Sequence, residues 1–344
     1  MRLSVLDQSP IHDGGTQGDG LRATLALAVE AEALGYHRYW VAEHHDLAGF
    51  AGSCPEIMIA EIAGRTTRIR VGSGGVMLAH YAPLKVAETF RMLATLHPGR
   101  IDLGIGRAQG GDGRAMRALS FPHHPPDADT YGRLALDLGH FLHDAVPETH
   151  MFHGMTAVPA PPEIPQYWQL GSGGGSAEFA GSLGMAYALA LFIGNDPAPP
   201  EIFELYRRTF RPSAALAAPA TALAVSVICA ANDAAAARIA ASQTWWRYEL
   251  YRYGRSAAFV TPDEALALRD ALPPAERAYH DSLAARIVLG GSASCARQLR
   301  ELAARYAVDE LILVTVCHHY ADRLDSYRRL AQAFELTSAP ETAP

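Results

Sequence analysis

Short apolar runs along this chain each lead into residues able to do chemistry. The run at 38–43 ends in Glu43-His44-His45, a carboxylate beside two imidazoles. An imidazole titrates near neutrality, so His44 is a candidate general acid or base, with Glu43 as its electrostatic partner. The run at 69–77 contains Ser73-Gly74-Gly75, and that at 100–106 leads into Arg107 and Gly110-Gly111-Asp112. The run at 166–171 opens the loop Gly171-Ser172-Gly173-Gly174-Gly175-Ser176, just ahead of a helical pattern. Such glycines let several backbone N–H groups converge, and a helix N-terminus adds a favourable dipole for an anion. Arg107 would complete a phosphate site with a charge-assisted fork. The same loop also fits an ordinary turn between strand and helix, and the residues alone leave both readings open. Asp7-Gln8-Ser9-Pro10 follows the first run and His318-His319 the last.

Other chemistries find less support. Among 15 histidines there is no His-x-His, and neighbours such as His44-His45, His123-His124 and His318-His319 would point to opposite faces of a strand. No metal site is expected from them. Gly104-x-Gly106-x-x-x-Gly110 is one residue too long for a dinucleotide fingerprint and follows the fourth strand, not the first. Neither a Gly-x-Ser-x-Gly elbow nor a Walker-type loop occurs. Lys85 is the only lysine, which leaves little for Schiff-base chemistry.

Gathering these groups at one place requires a frame in which strand ends share an edge. Candidate strands at 2–6, 38–43, 69–77, 100–106, 166–171, 185–190, 221–229 and 309–316 alternate with helical patterns. The helices fit 20–34, 55–66, 84–96, 129–144, 176–183, 200–209, 233–252, 292–306 and 321–336. Near-continuous apolar strands separated by helices indicate a parallel sheet covered on both faces. The strand count favours an α/β (β/α)8 barrel, whose chemistry lies at the C-terminal ends of its strands. Residues 1–336 are expected to form one barrel domain, with insertions at 145–165 and 254–288 and a frayed tail over 337–344.

The 344 residues are 49% hydrophobic and 19% charged, enough for a sizeable core and too little charge for disorder. The net charge of −7, without a Lys/Arg run, argues against a nucleic-acid partner. Four separated cysteines without a Cys-x-x-Cys pair fit a reducing cytoplasm. The start lacks a secretion signal, and no apolar stretch is long enough for a membrane span, so a cytoplasmic protein is expected.

Three blocks carry a resemblance to a known family: Val41-Ala42-Glu43-His44-His45, the run from Ile69 to Leu78, and Pro98 to Arg107 with its Arg-Ile-Asp-Leu-Gly. The sequence resembles the bacterial luciferase-like flavin monooxygenases, particularly single-chain members that begin with a Ser-Val-Leu-Asp-Gln-Ser-Pro segment, here Ser4 to Pro10. The similarity runs from residue 3 to about 125 and resumes over 165–190 and 307–335.

The resemblance implies a (β/α)8 barrel that uses reduced FMN or, in one branch, a deazaflavin. It implies proton transfer by His44 near the flavin and a bulge at Ser73, Gly74 and Gly75, with a non-prolyl cis peptide, beneath the ring. Arg107 and the loop at Ser172, Gly173, Gly174, Gly175 and Ser176 match its phosphate-binding elements. Relatives usually have serine where Gly173 stands and a larger residue in place of Gly175. The segment Ala188 to Phe192 also lacks the histidine often found there. The implied activity is oxygenation of a small organic substrate with O2 and reduced FMN from a separate flavin reductase. Gln8, His45, Phe192 and His318 are the expected substrate-pocket residues, and loop 108–127 is a candidate lid. A homodimer through helices 55–66 and 84–96 is implied as well. The alanine- and arginine-rich composition is associated with specialised metabolism. The alternatives are a deazaflavin-dependent dehydrogenase and a non-catalytic flavin-binding protein.

Overall fold

The computed structural model describes residues 1–12, 14–107, 110–122, 127–194 and 198–337. Eight parallel strands close into a barrel: β1 (Arg2–Asp7), β2 (Arg38–Val41), β3 (Arg70–Met77), β4 (Ile101–Gly106), β5 (Gln166–Gly171), β6 (Ala186–Ala190), β7 (Thr221–Ala230) and β9 (Glu310–Val314). A further strand, β8 (Val288–Gly291), pairs only with the second half of β7, from Val227 to Ala230. The helices are α1 (Gln17–Ala33), α2 (Pro55–Arg65), α3 (Pro83–Leu96), α4 (Gly113–Ser120), α5 (Ala128–Leu142), α6 (Gly174–Ser182), α7 (Glu201–Thr209), α8 (Asp233–Tyr253), α9 (Pro262–Asp270), α10 (Pro274–Ala284), α11 (Ser292–Tyr306) and α12 (Tyr320–Ala333). The expected (β/α)8 barrel is the observed architecture.

Side chains alternate between two cores because strand neighbours point to opposite faces. Leu3, Val5, Tyr39, Val41, Leu103, Ile105, Tyr187, Leu189, Leu223 and Leu311 belong to the shell beneath the helices. Their neighbours Leu6, Trp40, Trp168, Ala186, Ala188, Ala222, Ala224 and Ile312 belong to the barrel interior. At the N-terminal ends of the strands the interior is filled by an ion cluster. Arg38 Nη1 lies 2.6 Å from Asp102 Oδ2 and Arg38 Nε 2.6 Å from Glu310 Oε1, all three residues at most 2% exposed. The guanidinium stacks 4.9 Å above the Trp168 ring, and Trp40 Nε1 donates to Asp102 at 2.9 Å. Removing one partner would strand a buried charge, a loss of about 3–5 kcal/mol.

Several expectations are corrected. β2 ends at Val41, so Glu43, His44 and His45 lie in the loop beyond it and not on the strand. The expected insertion at 254–288 is built of two helices, α9 and α10, and also contains the start of β8, which is four residues long and paired on one side only. The candidate lid contains α4, started by Asp112, whose carboxylate accepts from the backbone N–H of Arg114 and Ala115 at 2.8 and 2.9 Å. The lid residues Ala108, Gln109 and His123 to Pro126, and Ser338 to Pro344 of the tail, lie outside the described residues. Among the described residues no helix is long and apolar enough to cross a membrane.

Candidate active site

A cavity of about 860 Å³ opens at the C-terminal ends of the strands. Leu6, Trp40, Ala188, Ala224 and Ile312 line it from the barrel interior. β6 and β7 present small alanines to this space, and Ala188, Ala190 and Ala224 line it where bulkier residues would fill it. Gly74, Gly75, Arg107, Ser172, Gly173, Gly175, Ser176 and Phe192, all singled out in the sequence, line the same cavity.

On β3 the pairing with β4 shifts register between Gly74 and Val76, and the Gly74–Gly75 peptide is cis. A Cβ on Gly74 would meet Leu6 Cδ1 at 2.5 Å, and one on Gly75 would meet the Gly104 carbonyl oxygen at 2.7 Å. A side chain at position 75 would strike the β4 backbone, whereas one at position 74 would require the Leu6 side chain to move. Ser73 does not line the cavity. Its hydroxyl donates to the Gly104 carbonyl at 2.8 Å and accepts from the Gly104 N–H at 3.1 Å, which ties the bulge to β4.

The loop after β5 delivers the N-terminus of α6 to the cavity. Gly173 caps that helix with extended backbone and no side chain to occupy the first N–H groups. A Cβ on Gly173 or Gly175 would meet nothing within 4 Å, so these glycines leave an open cradle in front of the helix. Gly174 instead faces Leu205 of α7, and Gly171 has no room because its Cβ would lie 1.9 Å from Ser176 Oγ. The Ser176 hydroxyl is turned back, donating to the Gly173 carbonyl at 2.7 Å and lying 3.0 Å from the Tyr187 hydroxyl. Arg107 is exposed and lines the same cavity. A guanidinium that makes no ion pair among the described residues and lines one cavity with an uncapped helix N-terminus and a glycine cradle fits a phosphate group.

Glu43 and His44 behave differently from the expected pair. The fully buried Glu43 carboxylate accepts from His45 Nε2 at 2.7 Å, from the Tyr81 hydroxyl at 2.7 Å and from the Met77 N–H at 2.9 Å. Its partner is thus His45, and His45 is committed to the loop instead of the substrate pocket. His44 stacks on Phe50 with ring centroids 4.6 Å apart, and Phe50 contacts Trp246 and Phe259. Burial, reinforced by the neighbouring His45, pulls the His44 imidazole down to about 4, so it is neutral at pH 7. Its buried Nδ1 has no hydrogen-bond partner among the described residues. His44 belongs to an aromatic wall continuous with the barrel interior and is not itself among the cavity-lining residues.

His318 is 7% exposed, and its Nδ1 lies 2.7 Å from the Phe259 carbonyl oxygen, which places it behind that wall. Gln8 is half-buried after β1, away from the cavity lining. Sequence reasoning missed Met77, Tyr131, Gln169, Phe179 and Ile193, which also line the cavity. Tyr131 donates to Gln169 Oε1 at 3.0 Å, linking α5 to β5 at the rim, and burial raises its phenol pKa. No group of three potential metal ligands occurs among the described residues.

Comparison with known proteins places this architecture. Residues 1–310 match the luciferase-like monooxygenase family. The uncharacterised protein YwcH of Bacillus subtilis is 40% identical over 332 residues, 96% of this chain and 98% of that one. The N-acetyl-S-alkylcysteine monooxygenase of the same organism is 34% identical over 337 residues, 97% of this chain and 98% of that one. The crystal structure of apo-MsnO8 superposes with a TM-score of 0.87 at 38% identity, covering 98% of this chain and 99% of the other. The fold alone is shared with the FMN complex of the oxygenating constituent of 3,6-diketocamphane monooxygenase from Pseudomonas putida, at TM-score 0.72 and 17% identity over 96% and 97% of the chains. It is also shared with an F420-dependent secondary alcohol dehydrogenase, at TM-score 0.68 and 14% identity over 96% and 98%. The chain belongs to the luciferase-like monooxygenase family.

Proposed function

We propose that the protein is an FMN-dependent monooxygenase that takes reduced FMN from a separate reductase and oxygenates a small organic substrate. The observation that carries this reading is the meeting, in one cavity, of the Gly74–Gly75 step, the Arg107 guanidinium and the open cradle before α6. Arg107 and the first N–H groups of α6 would hold the phosphate, and Gly74 and Gly75 would lie against the ring. Pockets for small molecules measure roughly 300–1,000 Å³, so a cavity at the upper end of that range suits a cofactor with a substrate beside it. Reduced FMN supplies two electrons to O2, one oxygen atom going to the substrate and the other to water.

The chain's own residues orient and shield. Leu6, Trp40, Ala188, Ala224 and Ile312 keep water from the interior end of the cavity. His44, neutral and without a partner at Nδ1 among the described residues, is the group proposed to take up and return a proton, and because it lies outside the cavity lining a water or substrate group would have to carry that proton to it. Glu43 acts at one remove, holding His45, Tyr81 and the Met77 amide in place and so shaping the end of β3. The 34% identical relative named for N-acetyl-S-alkylcysteines supports a small organic molecule as substrate. Exposed Ile57 on α2, with Met92 and Leu96 on α3, supports the expected homodimer face.

Anaerobic titration with reduced FMN and, separately, with reduced F420 tests the reading. Micromolar binding of FMN, with F420 weaker, is expected. The reverse preference would make the protein a deazaflavin-dependent dehydrogenase. Binding of neither would end the flavin assignment.

A further inference from the structure

A second cavity, of about 260 Å³, lies between α5, β5 and the loop 213–215 and shares no lining residue with the cavity at the strand ends. Ala135, Leu136 and Gly139 of α5, Tyr167 of β5 and Leu183 after α6 supply most of its wall. Gly139 leaves the edge of the Tyr167 ring open, since a Cβ there would lie 3.6 Å from Tyr167 Cε1. Two polar side chains on this wall are already engaged. The Tyr167 hydroxyl donates to the Ala135 carbonyl at 2.9 Å. The Ser213 hydroxyl donates to the Gly184 carbonyl at 2.9 Å and accepts from the Ala215 and Leu216 N–H groups at 3.0 and 3.2 Å.

His140 and His143 differ from these. Three residues apart at the end of α5, they share one side of the helix, and both line the cavity. Nδ1 of His140 and Nε2 of His143 are buried without a hydrogen-bond partner among the described residues. Burial holds both imidazoles below their ordinary value, so at pH 7 each is neutral, with one nitrogen that donates and one that accepts. The torsion that turns such a ring is soft and roughly two-fold, so either nitrogen edge can be presented to the cavity. The charges nearby are paired elsewhere, Arg91 with Asp144 and Asp137 with His150, and no charged side chain is among the described residues lining the cavity. Buried polar atoms are as a rule satisfied, so two orphans on the wall of one void mark a place where a ligand supplies the missing partner.

The void selects the ligand. A cavity of ~150 Å³ takes up benzene, so this one has room for a single substituted ring. Walls without charge disfavour an ion. A phenolic O–H is a stronger donor than that of an alkanol, and its ring can lie against Tyr167 and Leu183. We propose that this cavity is a second small-molecule site, which takes a neutral monocyclic phenol whose hydroxyl is shared between His140 and His143. The proposal does not depend on the flavin reading, because the two cavities are lined by different residues.

The test is titration of protein carrying isotope-labelled histidine with p-cresol, with toluene and p-toluate as its counterparts lacking the hydroxyl or bearing a charge. p-Cresol should move the ring-nitrogen resonances of His140 and His143, each identified by its loss in His140→Leu or His143→Leu. It should bind about three- to tenfold more tightly than toluene, the range of one net hydrogen bond, and p-toluate should bind more weakly than either. The double variant should hold p-cresol and toluene equally. Binding of p-cresol that moves neither resonance would place it in another cavity and overturn the proposal. So would equal affinity for p-cresol and toluene in wild type, a preference that survives in the double variant, or no binding of p-cresol at millimolar concentration. Should the double variant fail to fold, the wild-type resonances decide alone.

Discussion

Glu43 hydrogen-bonds His45 at 2.7 Å and leaves His44, the residue between them, to an aromatic stack on Phe50. The two imidazoles of this loop therefore divide their work: one braces the carboxylate, the other is held neutral. Glu43→Gln would present an amide N–H towards groups that already donate. The loss is expected to be about 1–3 kcal/mol, the penalty of an unsatisfied buried group. Urea unfolding measures it, and an unchanged midpoint would show that the carboxylate does not brace the loop.

His44 gives a pH dependence with a definite sign. Its folded value near 4 lies below the ordinary 6.5, so between these the unfolded chain binds a proton that the folded chain refuses. The stability it contributes is complete above pH 6.5 and drains away as pH falls towards 4. The stability gap between wild type and His44→Gln should accordingly narrow from pH 7 to pH 4.5 in urea titrations. A constant gap would contradict a buried neutral imidazole. If His44 moves the proton in turnover, the same variant should also lose about 10²- to 10⁴-fold in rate while still folded.

Gly173 invites a gain of function. The position is extended, open to a Cβ, and caps α6. Gly173→Ser should add a hydroxyl donor to the proposed phosphate seat and tighten FMN by about 0.5–1.5 kcal/mol. Thermal stability should change little, because Gly and Ser differ at a helix cap by a few tenths of a kcal/mol. Gly171→Ala, which collides with Ser176 Oγ, should do the opposite and weaken both. Flavin fluorescence quenching distinguishes the pair.

Arg107 should matter for the cofactor and not for the fold. It is exposed and lines the cavity at the end of β4. Arg107→Gln is expected to weaken FMN binding by about 1.5–3 kcal/mol, the range for a hydrogen bond to a charged group, with an unchanged unfolding midpoint. FMN affinity equal to wild type would remove this residue from the phosphate seat.

The inward alanines set the volume. Ala224→Leu should intrude on the cavity and raise the substrate KM more than it lowers kcat, while overpacking costs about 1–3 kcal/mol of stability. A paired measurement of KM and melting temperature checks it. Loss of stability without any change in KM would mean that this part of the cavity is not used.

The eight barrel strands were legible because each is an apolar run bounded by turn residues, and the rim glycines and Arg107 were legible because they follow those runs. The partner of Glu43 was not. Past Val41 the strand period ends, and the backbone path of a loop decides which imidazole reaches the carboxylate. The inward alanines left a signal in Ala-Tyr-Ala-Leu-Ala at 186–190 and Ala-Thr-Ala-Leu-Ala at 220–224, small residues alternating with large ones. Read as period-two patterns, they mark an interior deliberately left unfilled. β8 depends on contacts between distant segments, for which no local pattern exists.

The Arg38, Asp102 and Glu310 cluster, capped by two indoles, closes the lower end of the barrel. Among the described residues the interior is reached from the opposite end, where the cavity opens. A flavin and a substrate held there as proposed would then share one mouth, and the depth each reaches would be limited by the plug at the far end.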